Sequence, residues 1–312
     1  MQATFYKPSG KVSPTFFLYL LLVMIVSIPI LSAAYIYLIH YIPIIYVNFI
    51  ITGGVGAAFG FLVGFCAKHG KARNTAIVMI CTFIGMVVMK YVQWAIYIPL
   101  IFTDIYGILN YSIAERFLES FYLLTYPTFM LDAAEFINEF GVWGIGFNPA
   151  NAVTGIPLLI VWIGEFLLMT IVALVVAGIQ TDIPFSEETG KWYTTSKEAL
   201  QFDVPENLQA LRSDMENGNF QSLTEQLELG QANELEFLSL TFAKPPEESL
   251  SEPFFVTLTK SVTTPVEGKS KKEPKTKTDT LLKHLAVGQQ TAKEMMAIVP
   301  VIPEPVVEPV SE

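Results

Sequence analysis

The sequence predicts an α-helical membrane bundle of four transmembrane helices followed by a small cytoplasmic α+β domain, and three observations carry that prediction. Four apolar runs, at about residues 15–39, 44–66, 75–102 and 155–179, are each long enough to cross a bilayer. Within the second, Thr52, Gly56, Gly60 and Gly64 recur at every fourth position, with Gly53 and Ala57 beside them. Finally, the charge is unevenly spread: the chain is 52% hydrophobic with a net charge of −10, and most of its charged residues follow residue 180.

The glycine stripe is the organising feature. In a water-soluble helix each glycine costs about 1 kcal/mol against alanine. In lipid the hydrophobic effect does not drive helices together, so a smooth stripe is useful because it lets a second backbone approach closely. The same stripe is a candidate surface for self-association, giving a homo-oligomer.

Residues 1–14 carry Lys7 and Lys11 and form a cytoplasmic N-terminus. The first apolar run exceeds the core of a signal peptide and a second run follows at once, so it is read as an uncleaved span kinked at Pro29. His40-Tyr41-Ile42-Pro43 allows only a tight turn between antiparallel helices. Lys68, His69, Lys71 and Arg73 form the densest basic cluster beside any span and mark a cytoplasmic loop. Counting crossings outward from it puts both termini in the cytoplasm, in agreement with Lys7 and Lys11 at one end and Lys191 and Lys197 at the other. The expected location is a multi-pass protein of a bacterial inner membrane.

The outer segment, residues 104–154, holds two amphipathic helices. Ile113, Phe117, Phe121 and Leu124 share one face against Glu115, Arg116 and Glu119; Phe129, Ala133, Phe136, Ile137 and Phe140 repeat the pattern against Asp132, Glu135 and Asn138. Two placements stand open: anchoring in the outer interface with Trp143, or a lid over the bundle. Asn148-Pro149-Ala150-Asn151 reads as a turn into the fourth span.

After the last span, Ser186-Glu187-Glu188-Thr189-Gly190 has the outline of a zinc knuckle, Cys-x-x-Cys-Gly, with hydroxyls where thiolates would bind. On these residues the chain resembles uncharacterised bacterial polytopic membrane proteins that carry a knuckle in this position. The resemblance implies no activity, and without cysteines it implies no metal.

Residues 181–299 are expected to form the α+β domain. Residues 206–217 and 220–229 read as short helices hinged at Gly218, with Leu208, Leu211, Met215, Leu223, Leu227 and Leu229 supplying apolar faces. The second carries Glu225 and Glu228 and no basic residue, which opposes binding to nucleic acid. Residues 234–242 and 253–263 alternate as two antiparallel strands joined at Pro245-Pro246. Residues 269–277 read as a basic tip or linker, 281–296 as a closing helix, and 300–312, rich in Val, Pro and Glu, as a disordered tail.

Two ionisable residues lie deep in spans, Lys90 in the third and Glu165 in the fourth. At 1.5 Å per residue they sit about 22 Å and about 21 Å from the inner ends of antiparallel helices, which predicts an intramembrane ion pair. Such a pair either fixes helix register or belongs to an ion or proton pathway extended by Gln93, Tyr91 and Asn48. No catalytic signature is present: there is no nucleophile elbow, no His-Glu-x-x-His, no phosphate or dinucleotide loop, and His40, His69 and His284 are far apart in the chain. Cys66 and Cys81 have no metal or disulfide spacing. No cofactor and no metal are expected. The leading expectation is a non-enzymatic anchor, adaptor or regulatory subunit that presents its cytoplasmic domain to a protein partner. The alternative is a small transporter or channel component using Lys90 and Glu165.

Overall fold

A computed structural model describes residues 4–42, 44–142, 152–196, 199–230, 233, 235–249, 251–264 and 275–298. The expectations for Pro43, Trp143, the 148–151 turn, residues 269–274 and the 300–312 tail fall outside the described residues. The chain divides into two compact units, residues 9–182 and residues 1–8 with 183–312.

The first unit is helical: α1 (Pro14–Tyr41), α2 (Ile45–His69), α3 (Thr75–Asp104), α4 (Ile113–Leu123), α5 (Pro127–Phe140) and α6 (Gly155–Thr181). Four helices, Pro14–Tyr41, Tyr46–His69, Thr75–Asp104 and Gly155–Thr181, are long and apolar enough to cross a membrane. Each start has a local cause. Ser13 caps α1 by accepting from the Thr15 amide, with Pro14 at the first position; the Asn74 carboxamide accepts from Ile77 N at 3.1 Å to cap α3. Helix α1 continues through Pro29.

The bundle core collects Phe16, Tyr35, Phe59, Val63, Met86, Met89, Met169 and Ala173. Meanwhile Leu18, Leu21, Ile25, Ile50, Ile84, Ile160 and Ile179 point outward. A soluble bundle would bury such residues; here they form the surface that hydrocarbon would wet. The turn between α2 and α3 is closed by the stretch before α1, since Arg73 N donates to Lys11 O at 2.9 Å and Asn74 Nδ2 to Gly10 O at 3.3 Å.

The second unit is a sheet backed by helices: β1 (Thr194–Thr195), β2 (Leu200–Asp203), α7 (Leu208–Glu216), α8 (Gln221–Leu229), β3 (Glu236–Lys244), β4 (Phe254–Thr264), β5 (Lys275–Val287) and α9 (Gln289–Ala297). All pairings among the strands are antiparallel: β1 and β2 both pair with β3, then β4, then β5. Phe202, Leu240, Phe242, Val256, Leu258, Leu282 and Leu285 meet Leu211, Met215, Leu223, Leu227 and Met295 of the helices in one core. Leu229, expected to join them, is instead exposed at the last turn of α8 before the left-handed cap Gly230.

The expected closing helix over 281–296 is corrected: residues up to Val287 belong to β5 and only Gln289–Ala297 is helical. The misreading has a physical origin. The β4–β5 register shifts near Thr257, and His284 adopts a left-handed φ of 51°. This bulge spaces the core-facing Leu282 and Leu285 three apart, which imitates a helix.

Two features of this unit were not anticipated from the sequence. One is the short β1 and β2 strands. The other is at the N-terminus, where Phe5 bridges Leu285, Tyr6 N donates to His284 O at 2.9 Å and Ala286 N to Thr4 O at 2.8 Å. Residues 4–6 thus extend the sheet along β5.

On the sheet's other face Tyr193, Ala243 and Phe255 pack with Tyr6, Ile183 and Ala286. The Tyr193 hydroxyl is shared between Glu252 Oε2 (3.3 Å) and Pro253 O (3.2 Å). Burial, reinforced by the Glu252 carboxylate, pushes that hydroxyl above the ordinary tyrosine range. A raised folded-state pKa contributes stability that is present below the unfolded value of about 10 and lost as pH climbs through the folded one. Tyr193→Phe should therefore remove this alkaline loss from the unfolding profile of the detergent-purified protein. At neutral pH it should cost about 0.5–1.5 kcal/mol through the lost hydrogen bond.

Candidate functional site: a polar cluster inside the helical unit

Helical spacing brings polar side chains from four helices into the apolar core. On α3, Lys90, Gln93 and Tyr97 follow i, i+3, i+7; on α6, Glu165 and Met169 follow i, i+4; α1 supplies Ser32 and Tyr35, and α2 supplies Asn48 and Thr52. Ser32, Tyr35, Thr52 and Gln93 are buried, and Lys90 and Glu165 are half-buried. Thr52 Oγ1 donates back to Asn48 O at 2.7 Å and stands 3.5 Å from the Tyr35 hydroxyl. The Glu165 carboxylate lies near that hydroxyl. Ser32 Oγ donates to Met89 O at 3.3 Å, and Gln93 Nε2 to Met169 Sδ at 3.6 Å.

Lys90 and Glu165 act on each other electrostatically, and among the described residues they form no ion pair at contact distance. Tyr35 and Thr52, bonded to each other at 3.5 Å, lie on the same side of the cluster as Glu165. The Gln93 side-chain oxygen and the Asn48 side-chain oxygen are buried without a hydrogen-bond partner, as is the Thr170 hydroxyl. Buried amide oxygens left this way are costly and mark the places where a polar track has spare capacity. Tyr91, expected to extend the track, points elsewhere: its hydroxyl donates to Leu124 O at 2.9 Å.

The glycine stripe borders this cluster and faces α6. A Cβ added at Gly56 would fall well inside 3.0 Å of the Met169 carbonyl oxygen, and one at Gly60 would do the same at the Ala173 carbonyl. At Gly64 it would lie 2.5 Å from the Gln180 carboxamide, whose Nε2 donates to Phe61 O at 3.1 Å. Gly53 and Gly54 have open space on that side. The stripe that could have served self-association is taken by α6 of the same chain.

Ser32 and Tyr35 are the members that sequence reasoning missed. Their signal was a polar pair at i, i+3 within an otherwise apolar span, which does not reveal its partners.

Outside the cluster, Ser186 and Thr189 close a tight hairpin. Gly190 N donates to Ser186 O at 3.0 Å, Ser186 N to Lys191 O at 2.8 Å, and Thr189 Oγ1 to Ser186 Oγ at 2.8 Å. The hydroxyls standing where a knuckle has thiolates bond to each other. His40 lies beside Asp104, His69 Nδ1 is 2.9 Å from Phe65 O, and His284 sits in the β5 bulge. Among the described residues no group of three His, Cys, Asp or Glu side chains is placed to hold a metal ion. No protein-family model, curated protein or solved structure matches the chain.

Proposed function

We propose that this protein is a non-enzymatic membrane anchor or regulatory subunit that holds its sheet unit at the cytoplasmic surface, most simply of a bacterial inner membrane, for a protein partner to bind. The observation that carries the reading is the pairing of residues 4–6 with β5. Chain segments on either side of four apolar helices belong to one sheet, which supports placing both on the same side of a bilayer with an even number of crossings between them. The basic residues Lys68, Lys71 and Arg73 between α2 and α3 then fall on that side as well, as the distribution of positive charge demands.

The test is mass measurement of complexes released from native membranes. The full chain is expected to leave the membrane with a stoichiometric protein partner, and a chain ending at Thr181 to leave without it. Equal recovery of that partner by both forms would overturn the reading. A second reading, ion or proton movement through Lys90 and Glu165, is favoured by one observation, the unpartnered Gln93 oxygen beside them.

A further inference from the structure

Helix α4 has its polarity inside out. A helix against a core in water buries its apolar stripe and exposes its charges. In α4 the residues Ile113, Phe117 and Phe121 are 81%, 63% and 56% exposed, whereas the Arg116 side chain is 17% exposed and Ser120 and Leu123 are buried. The inward polar groups are internally satisfied. Arg116 grips Asp104 at the end of α3 with both terminal nitrogens, at 2.7 and 3.1 Å, and gives its Nε proton to Tyr111 O at 3.2 Å. His40 Nε2, at the end of α1, lies 3.2 Å from the same Asp104 carboxylate. Ser120 Oγ donates to Arg116 O at 2.8 Å. Even the helix start is closed on itself: Ser112 and Glu115 form a reciprocal capping box, with Ser112 N donating to Glu115 Oε2 at 2.7 Å.

We propose that α4 lies within the hydrocarbon edge of the leaflet remote from the chain termini, taking lipid acyl chains on its Ile113–Phe117–Phe121 face. Its surroundings argue for lipid rather than for a protein. Exposed apolar residues recur along the chain that leads to α4 from the outward side of α3, at Ile105 and Ile108. Where α4 ends, exposed Tyr122 and Tyr126 lie tilted against each other with ring centroids 4.4 Å apart, the residue type that collects at the membrane–water boundary. The neighbouring α5 exposes Asp132, Glu135 and Glu139 and so presents a wet face, whereas the one fully exposed charge of α4 is the cap residue Glu115. In this placement the polar side of α4 shields the His40–Asp104–Arg116 cluster from both lipid and water, which explains why an amphipathic helix turns its charge inward. Of the two placements open to the amphipathic pair, interface and lid, α4 takes the interface.

The test replaces Phe117 with the photoreactive p-benzoylphenylalanine, with the same probe at Phe121 as a second variant and at Glu135 as the control, in the full chain reconstituted into phosphatidylcholine vesicles. Irradiation is expected to add the mass of one lipid at positions 117 and 121 and none at 135. A protein dimer crosslinked through 117 would overturn the proposal in favour of a second copy on this face. A probe at 117 that stays unreacted, or adds only as the one at 135 does, would overturn it in favour of water.

Discussion

Gly60→Ala is expected to break the helical unit, although it adds a single methyl group and improves intrinsic helix propensity. In an isolated helix the change would gain about 1 kcal/mol. Here the new Cβ would collide with the Ala173 carbonyl and its neighbouring backbone atoms, none of which can swing aside as a side chain could. Helix α6 has to move away along its length, and the contacts at Gly56 and Gly64 open with it. Overpacking of this kind costs about 1–3 kcal/mol or more, so the net effect should be a loss of about 2 kcal/mol. Gly53→Ala, about two turns away on the same helix with nothing within 4 Å of its new Cβ, should be neutral or slightly stabilising. Thermal unfolding of the two purified variants in detergent decides the matter. Equal stability of both would mean that α2 and α6 do not meet along the stripe.

Lys90→Met should destabilise the unit by about 3 kcal/mol, because it removes the ammonium that opposes the Glu165 carboxylate and leaves that group either ionised in the helix interior or taking up a proton. The double variant Lys90→Met with Glu165→Gln should recover much of that loss. The two residues should then show a coupling of about 1–3 kcal/mol in a double-mutant cycle of unfolding free energies. Additive losses would show that the charges stabilise the fold independently. Glu165→Gln serves a second purpose in proteoliposomes. An anchor should show no flux with or without the carboxylate; ion or proton flux that disappears in this variant would replace the anchor with the transport reading.

The extent to which this molecule can be read from its residues follows from the range of the forces involved. The four long helices were legible because the apolar requirement of a crossing is local and repeated over some 20 residues. The short helices α7 and α8 were legible for the same reason, since the spacing of Leu208, Leu211 and Met215 and of Leu223 and Leu227 is set within one helix. By contrast, β5 read as a helix because one bulged residue, His284, altered the spacing of Leu282 and Leu285, and a bulge exists only relative to the strand opposite. Residues 4–6 offered no strand signal of their own, and their place in the sheet is set by β5, some 280 residues away. For α4 the pattern gave the two faces and left open which of them turned inward; the Asp104–Arg116 contact decided that.

Within the candidate site the division is the same. Composition and periodicity alone determined that Lys90 and Glu165 belong to long apolar helices, and that α2 carries a glycine stripe, because both are properties of one helix at a time. Only the tertiary structure decided that the stripe meets α6, that Lys90 and Glu165 make no contact ion pair, and that Gln93 keeps an unpartnered side-chain oxygen. Those outcomes depend on how the helices are rotated about their axes, and in a nearly uniform apolar span that rotation is set by close packing against other helices.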